Sequence, residues 1–169
     1  LHDALPISIR CVAGFCFQEK IITKKIFAIE TIATPIKVEI LNNGNIRADM
    51  GTPNLILDQI PVKLPKEFQE EGKKSHQYSI KTSKFQGKFT PVSMGNPHAV
   101  YFLQDIDSLD LEQFGPLLEH HEFFPARINS EFIKILSPTE INFRVWERGA
   151  GETLACGTGA SAAVVAGNL

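Results

Sequence analysis

The residues best placed to do chemistry lie together, in the run Arg148-Gly149-Ala150-Gly151-Glu152-Thr153-Leu154-Ala155-Cys156-Gly157-Thr158-Gly159-Ala160. Cys156 is set in a Gly-Thr-Gly turn ahead of the small residues Ala160 to Ala166, a pattern that predicts the start of a buried helix. A cysteine at a helix N-terminus lies beside unpaired backbone N–H groups and the positive end of the helix dipole, and both favour thiolate over thiol. The same N–H groups can hold a carboxylate. A basic sulfur beside an anion seat suits chemistry at the α-carbon of an amino acid. The plainer reading is a small buried hydrophobe, the common fate of a free cysteine. Two glycines and a threonine at a helix start favour a backbone that something must approach closely.

Three further groups carry polar side chains in turn or strand-end settings. Glu147-Arg148 ends an alternating segment. It is either an ordinary surface pair of little energetic worth or an arginine clamp for a carboxylate beside a glutamate that holds an ammonium. Gly95-Asn96-Pro97-His98 is a turn by composition. Asn96 offers a donor and an acceptor, and His98 could set the protonation of a nearby thiol; the alternative is a plain β-turn with a solvent-facing histidine. Asn129 is a strand-entry cap or a ligand contact. The functional readings require that all of them meet at one mouth.

Size and composition bound the class. The chain has 169 residues, 43% apolar and 21% charged, with a net charge of −2. These are globular values without the basic footprint of a nucleic-acid binder. Apolar runs fall short of a bilayer span and no secretory signal is visible, so a soluble cytoplasmic protein is expected. Cysteines at 11, 16 and 156 lack paired metal-ligand spacing. Neither a disulfide framework nor a metal is expected, and no lysine stands in a convincing cofactor turn.

The elements that must position these residues follow from periodicity. Ile9 to Phe17 reads as the last turns of a helix. Phe27, Ile29 and Thr31, then Ile36, Val38 and Ile40, alternate into the turn Asn42-Asn43-Gly44-Asn45 and out through Ile46, Ala48 and Met50, a hairpin signal. Residues 51–77 read as a loop with at most one edge strand, with Phe68 to Gln77 a linker or exposed insert. Lys88 to Val92 and Ala99 to Leu103 read as strands about the Asn96 turn. Asp107 to His121 has helix character that Gly115-Pro116 should break or restart. Ile128 to Leu136 and Ile141 to Val145 form a second hairpin that delivers Glu147 and Arg148. Strands, more strands and a terminal helix fit an α+β fold better than a doubly wound sheet.

Trp146-Glu147 followed by the Arg148 to Gly159 run resembles the second catalytic-cysteine signature of the diaminopimelate epimerases. Asp49-Met50-Gly51-Thr52-Pro53, Gly95-Asn96-Pro97-His98-Ala99-Val100 and Phe124-Pro125-Ala126-Arg127-Ile128-Asn129-Ser130-Glu131-Phe132 are similar to that family's other landmarks, in the same order. The resemblance covers roughly residues 9–169. It implies two pseudo-symmetric domains, each a mixed, barrel-like sheet wrapped around a central helix, with the active site in the cleft between them. It implies cofactor-free epimerisation of LL-diaminopimelate to the meso form, in lysine and peptidoglycan precursor synthesis, by two cysteines on opposite faces of one α-carbon. On this carry-over Cys156 is one catalytic thiol. Gly157 and Thr158 hold the substrate carboxylate, Asn96, Asn129, Glu147 and Arg148 contact substrate, and His98 and Glu147 tune the thiols. The partner is a small amino-acid substrate, not nucleic acid or membrane, and a homodimer is open for the full-length enzyme.

The family's first cysteine belongs to a Cys-Gly-Asn-Gly-x-Arg-Cys run, of which only Ile9-Arg10-Cys11 is matched. Leu5, Pro6, Ile7 and Ser8 stand where Cys-Gly-Asn-Gly is expected. Cys11 matches the later, non-catalytic cysteine and Cys16 matches nothing. The expected organisation is therefore a non-family leader at 1–8, a remnant of the first domain at 9–78 and a second domain at 79–169 truncated in its central helix. A fragment so built is expected to be inactive alone. The rivals are a racemase or epimerase of another amino acid on the same fold, and a binding protein that has lost one cysteine.

Overall fold

The computed structural model describes residues 5–31 and 35–169. By packing they fall into two compact units, one ending at Gly51 and the other running from Thr52 to Leu169. The first unit holds α1 (Leu5–Gln18), β1 (Ile26–Ile29), β2 (Ile36–Ile40) and β3 (Ile46–Ala48). Its strands form an antiparallel sheet in the order β1-β2-β3. The Asn-Gly turn closes the β2–β3 hairpin as expected, with Ile40 opposite Ile46 and the Leu41 N–H donating to the Asn45 carbonyl at 2.8 Å. Ile36, Val38 and Ile40 turn to one face and pack with Ile9 and Ala13 of α1, as the alternation requires. The helix reaches back to Leu5, so Leu5 to Ser8 of the expected leader is helical; the rest of that leader lies outside the described residues.

The second unit adds a 3-10 turn at Leu57–Gln59, α2 (Lys66–Gly72), β4 (Tyr78–Lys81), β5 (Gln86–Ser93), β6 (Pro97–Phe102), α3 (Leu111–Glu119), β7 (Asn129–Ser137), β8 (Glu140–Glu147), β9 (Gly151–Thr153) and α4 (Gly157–Gly167). Six strands form one sheet in the order β4-β5-β6-β7-β8-β9. Only β6 and β7 run parallel; the remaining neighbours are antiparallel. The α+β class holds. The sheet of the described residues is open, with β4 and β9 as its two edges, and does not close into a barrel.

Two local expectations differ from the structure. Residues 51–77 are more than a loop and linker: Ile60, Val62 and Leu64 are buried in the core of the second unit and Phe68 packs against it. The Lys63 N–H donates to the Phe123 carbonyl at 2.8 Å, and the Phe68 ring packs at a tilt against Phe123 with centroids 5.5 Å apart. These contacts place residues 52–77 with the second unit, and the packing division falls after Gly51. Gly115-Pro116 does not break α3, which runs through Pro116. An interior proline costs about 3 kcal/mol, and the burial of Leu111, Phe114 and Leu118 offsets it. Asp110 caps the helix by accepting from the Gln113 N–H.

Alternation on the central strands gives the sheet two faces. Ala99, Tyr101, Phe132 and Trp146 join Leu111, Phe114 and Leu118 of α3 in one core. The intervening positions, His98 and Val100 on β6 and Asn129 and Glu131 on β7, are also buried. Their side of the sheet is covered by α4, which packs across β5, β6 and β7.

Candidate active site

Parallel pairing sets His98 beside Asn129 and Val100 beside Glu131. Because β6 and β7 start where antiparallel β8 ends, Pro97-His98, Asn129 and Glu147 gather at one end of the sheet. The turn before β6 adds Asn96, and the N-terminus of α4 crosses above. Asn96, His98, Asn129, Glu147, Arg148, Cys156, Gly157 and Thr158 therefore gather at this end of the sheet, most of them buried.

Cys156 is the N-cap of α4, with extended backbone angles (φ −130°, ψ 112°), and its Sγ accepts from the Gly159 N–H at 3.4 Å. It is 3% exposed. The Thr158 hydroxyl lies 3.4 Å from the sulfur and accepts from Asn96 Nδ2 at 3.2 Å. Asn96 Oδ1 faces His98 Nε2 at 3.0 Å, and His98 Nδ1 faces Glu131 Oε1 at 2.7 Å. A buried polar chain therefore runs from the thiol through Thr158, Asn96 and His98 to Glu131. Both ring nitrogens of His98 are engaged by Asn96 and Glu131, so the histidine reaches the sulfur only through Asn96 and Thr158.

The structure reverses the expected sign of the thiol's ionisation. Burial pushes Cys156 up from 9.0 to about 11, and the carboxylates of Glu131 and Glu147 add to it. Donation from Thr158 and from the Gly159 N–H opposes the rise without cancelling it. The helix N-terminus does favour thiolate, but a dry pocket and two acidic neighbours outweigh it. Glu131 is itself raised by burial, an effect that His98 partly offsets. The first N–H groups of α4, those of Gly157 and Thr158, have no acceptor within the helix and lead its positive end.

The turn from β8 to β9 holds the remaining candidates. Glu147 accepts a short hydrogen bond from the Thr153 hydroxyl. Asn129 Oδ1 accepts from the Arg148 backbone N–H at 2.9 Å, and its Nδ2 donates to the Pro97 carbonyl at 3.3 Å. Asn129 thus ties β6, β7 and the Arg148 turn together. The Arg148 guanidinium donates to the Ala126 carbonyl at 3.3 Å. Gly149 and Gly151 take φ of +76° and +85°, the left-handed region that lets the chain reverse so tightly.

Two buried glutamates were not singled out from sequence. Glu131 is fully buried, and a Cβ added at Gly159 would stand 2.8 Å from its Oε1, so glycine is what lets α4 close over it. Its signal was a charged residue at a central position of an apolar strand, between Asn129 and Phe132. Glu119 is 3% exposed and clamps the turn from below. It accepts from Trp146 Nε1 at 2.8 Å, the Gly149 N–H at 2.9 Å and Arg127 Nη1 at 3.3 Å. Nothing in its local sequence marks it.

Among the described residues no group of three or more His, Cys, Asp or Glu is placed to hold a metal ion, and no helix is long and apolar enough to cross a membrane.

Comparison with known proteins gives a consistent picture. Residues 90–169 match the family model described as diaminopimelate epimerase. The chain is 48% identical to the diaminopimelate epimerase of Carboxydothermus hydrogenoformans, with 96% of this chain and 57% of that protein aligned. It is 45% identical to that of Bacillus mycoides and 46% identical to that of a Bacillus cereus strain, each with 95% of this chain and 56% of the relative aligned. The chain thus spans a little over half the length of the curated relatives it matches.

Proposed function

We propose, for a chain that belongs to the diaminopimelate epimerase family over the span it shares with those relatives, that residues 52–169 form one half of an epimerase site and that Cys156 is its acid/base thiol. The observation that carries this is the placement of the Cys156 sulfur at the N-terminus of α4, hydrogen-bonded to Thr158 and Gly159. The substrate is an amino acid, diaminopimelate by kinship with the relatives, and no cofactor is invoked.

The α-proton of an amino acid is very weakly acidic, so inversion needs a base on one face, an acid on the other and fixed donors for the developing charge. The thiolate of a second cysteine takes the α-proton, and the C–H electron pair spreads into the carboxylate. The N–H groups of Gly157 and Thr158 hold that carboxylate. The Cys156 S–H gives its proton to the opposite face, leaving Cys156 as thiolate and the partner as thiol. A Cys156 thiol raised to about 11 is protonated at neutral pH, as the donor in this direction must be. Glu147 takes the substrate ammonium, while Asn96, Asn129 and Arg148 shape the mouth. His98 and Glu147 set the ionisation of the thiol, His98 at second hand.

Neither Cys11 nor Cys16 stands in a Gly-Asn-Gly turn, so this chain supplies one of the two thiols and is inactive alone. The test is α-deuterium exchange and stereochemical inversion of diaminopimelate in D2O. No turnover is expected from the 169-residue chain. Turnover is expected when it is extended by a segment bearing the family's Cys-Gly-Asn-Gly motif, and is lost again in Cys156→Ala. Inversion by the unextended chain, or activity surviving Cys156→Ala, would refute the reading. Turnover of a different amino acid but not diaminopimelate would select the racemase alternative. Sedimentation of the extended enzyme would show whether it is a homodimer.

A further inference from the structure

Glu131 carries no role in the reaction just described, yet it is fully buried and ends the chain of contacts that leads to the sulfur. One of its oxygens, Oε2, has no hydrogen-bond partner. A buried carboxylate with a bare oxygen is costly unless its charge is neutralised. Proton counting along the chain shows how that happens. Asn96 Nδ2 donates to Thr158 Oγ1, so Asn96 Oδ1 is the atom facing His98 Nε2, and a carbonyl oxygen only accepts. His98 Nε2 must therefore carry a hydrogen. At 2.7 Å, Nδ1 and Glu131 Oε1 must share another. The pair is then either imidazolium with carboxylate or imidazole with carboxylic acid. In both forms it is neutral overall, Nε2 is protonated, and a second proton lies between Nδ1 and Oε1.

The alternative arrangement has one proton fewer. It would leave Nε2 bare, reverse the Asn96 amide and turn the Thr158 hydroxyl hydrogen toward Asn96 and away from the sulfur. That state carries a net negative charge in a dry site already facing Glu147, and burial disfavours it.

We propose that Glu131 is a positioning residue: by sharing a proton with Nδ1 of His98 it keeps Nε2 protonated, which fixes the Asn96 amide so that the Thr158 hydroxyl hydrogen is left for Cys156. The inference rests on Cys156 being the working thiol, but its test does not use turnover, so it can fail while the epimerase reading stands, and the reverse. Besides Cys156 itself, the ionisable group that faces this chain is Glu147 from β8, while Tyr101 of β6, on the other face of the sheet, is close enough to feel the charge of Glu131.

The experiment is imidazole ¹⁵N NMR on the full chain at neutral pH, with the pH profile of Cys156 alkylation in a Cys11→Ser, Cys16→Ser background. Wild type should show His98 Nε2 protonated and Nδ1 sharing a second proton; Glu131→Gln should show a ring with one proton fewer. The alkylation midpoint should move in Glu131→Gln, and that movement should shrink when Thr158→Val is already present, since the route through the hydroxyl is then gone and only the direct effect of charge remains. A bare Nε2 in wild type overturns the proposal and needs no variant to fold. So does an unchanged ring spectrum in Glu131→Gln, or a midpoint shift that persists in full with Thr158→Val, which would mean that Glu131 acts on the sulfur by charge alone.

Discussion

The ionisation of Cys156 offers a decisive measurement because two physical effects pull it in opposite directions. A helix N-terminus lowers a thiol's pKa, and burial beside acidic groups raises it. The structure puts the sum at about 11, against 9.0 for the free group. At pH 8 the thiolate would be about one molecule in a thousand rather than about one in ten, roughly a hundredfold loss of reactive form. With Cys11 and Cys16 replaced by serine, iodoacetamide reports Cys156 alone. Burial also slows access, so the midpoint of the pH profile, not the absolute rate, carries the answer. The rate should climb about tenfold per pH unit from pH 8 and level off only near pH 11. Glu147→Gln removes one acidic neighbour and should move the midpoint down, and Thr158→Val removes a donor and should move it up. A midpoint at or below 9 would show that the helix N-terminus wins and would refute the reasoning.

Three further outcomes are expected. Gly115→Ala would set a methyl 2.4 Å from the ring of Trp146, which is 6% exposed and cannot swing aside. A loss of about 1–3 kcal/mol in urea unfolding is expected, with a shift in the fluorescence of this single tryptophan. Glu119→Ala would strand the Trp146 indole N–H and the Gly149 N–H, costing about 1–3 kcal/mol per buried donor, and should raise hydrogen exchange at Gly149. Because the Cys156 pKa is raised on folding, its contribution to stability is whole below pH 9 and is lost as pH rises toward 11. In a Tyr101→Phe background, which removes another group raised by burial, Cys156→Ala should flatten the decline of the unfolding midpoint across that window.

What was legible in the sequence follows from how local each signal is. The β2–β3 and β7–β8 hairpins are written in period-two alternation and short polar turns, and both form. The turn carrying Asn96 and the helix start at Cys156 are likewise local. What failed depended on packing. Alternation from Ile128 to Leu136 marks two faces without saying that both are covered; α4 closes over the second, so Asn129 and Glu131 are buried. Proline at 116 implied a break that the burial of Leu111, Phe114 and Leu118 overrides. Ile60, Val62 and Leu64 sit among prolines and charges that look like a loop until their core is seen. The thiol's ionisation departs from expectation for the same reason: the helix end is local, while the burial of the sulfur, and after it the carboxylates of Glu131 and Glu147, come from other strands packed around it.

The sulfur of Cys156 is also the atom that caps α4. Reactivity and helix capping are thereby invested in one atom, and any reagent that captures the sulfur weakens and crowds the acceptor of the Gly159 N–H. Losing an N-cap costs about 0.5–2 kcal/mol, and the helix concerned is the roof over Glu131. An alkylating inhibitor of this site would act twice, as a block on the chemistry and as a wedge that frays the first turn of the helix. Its adduct should melt earlier than the untreated protein.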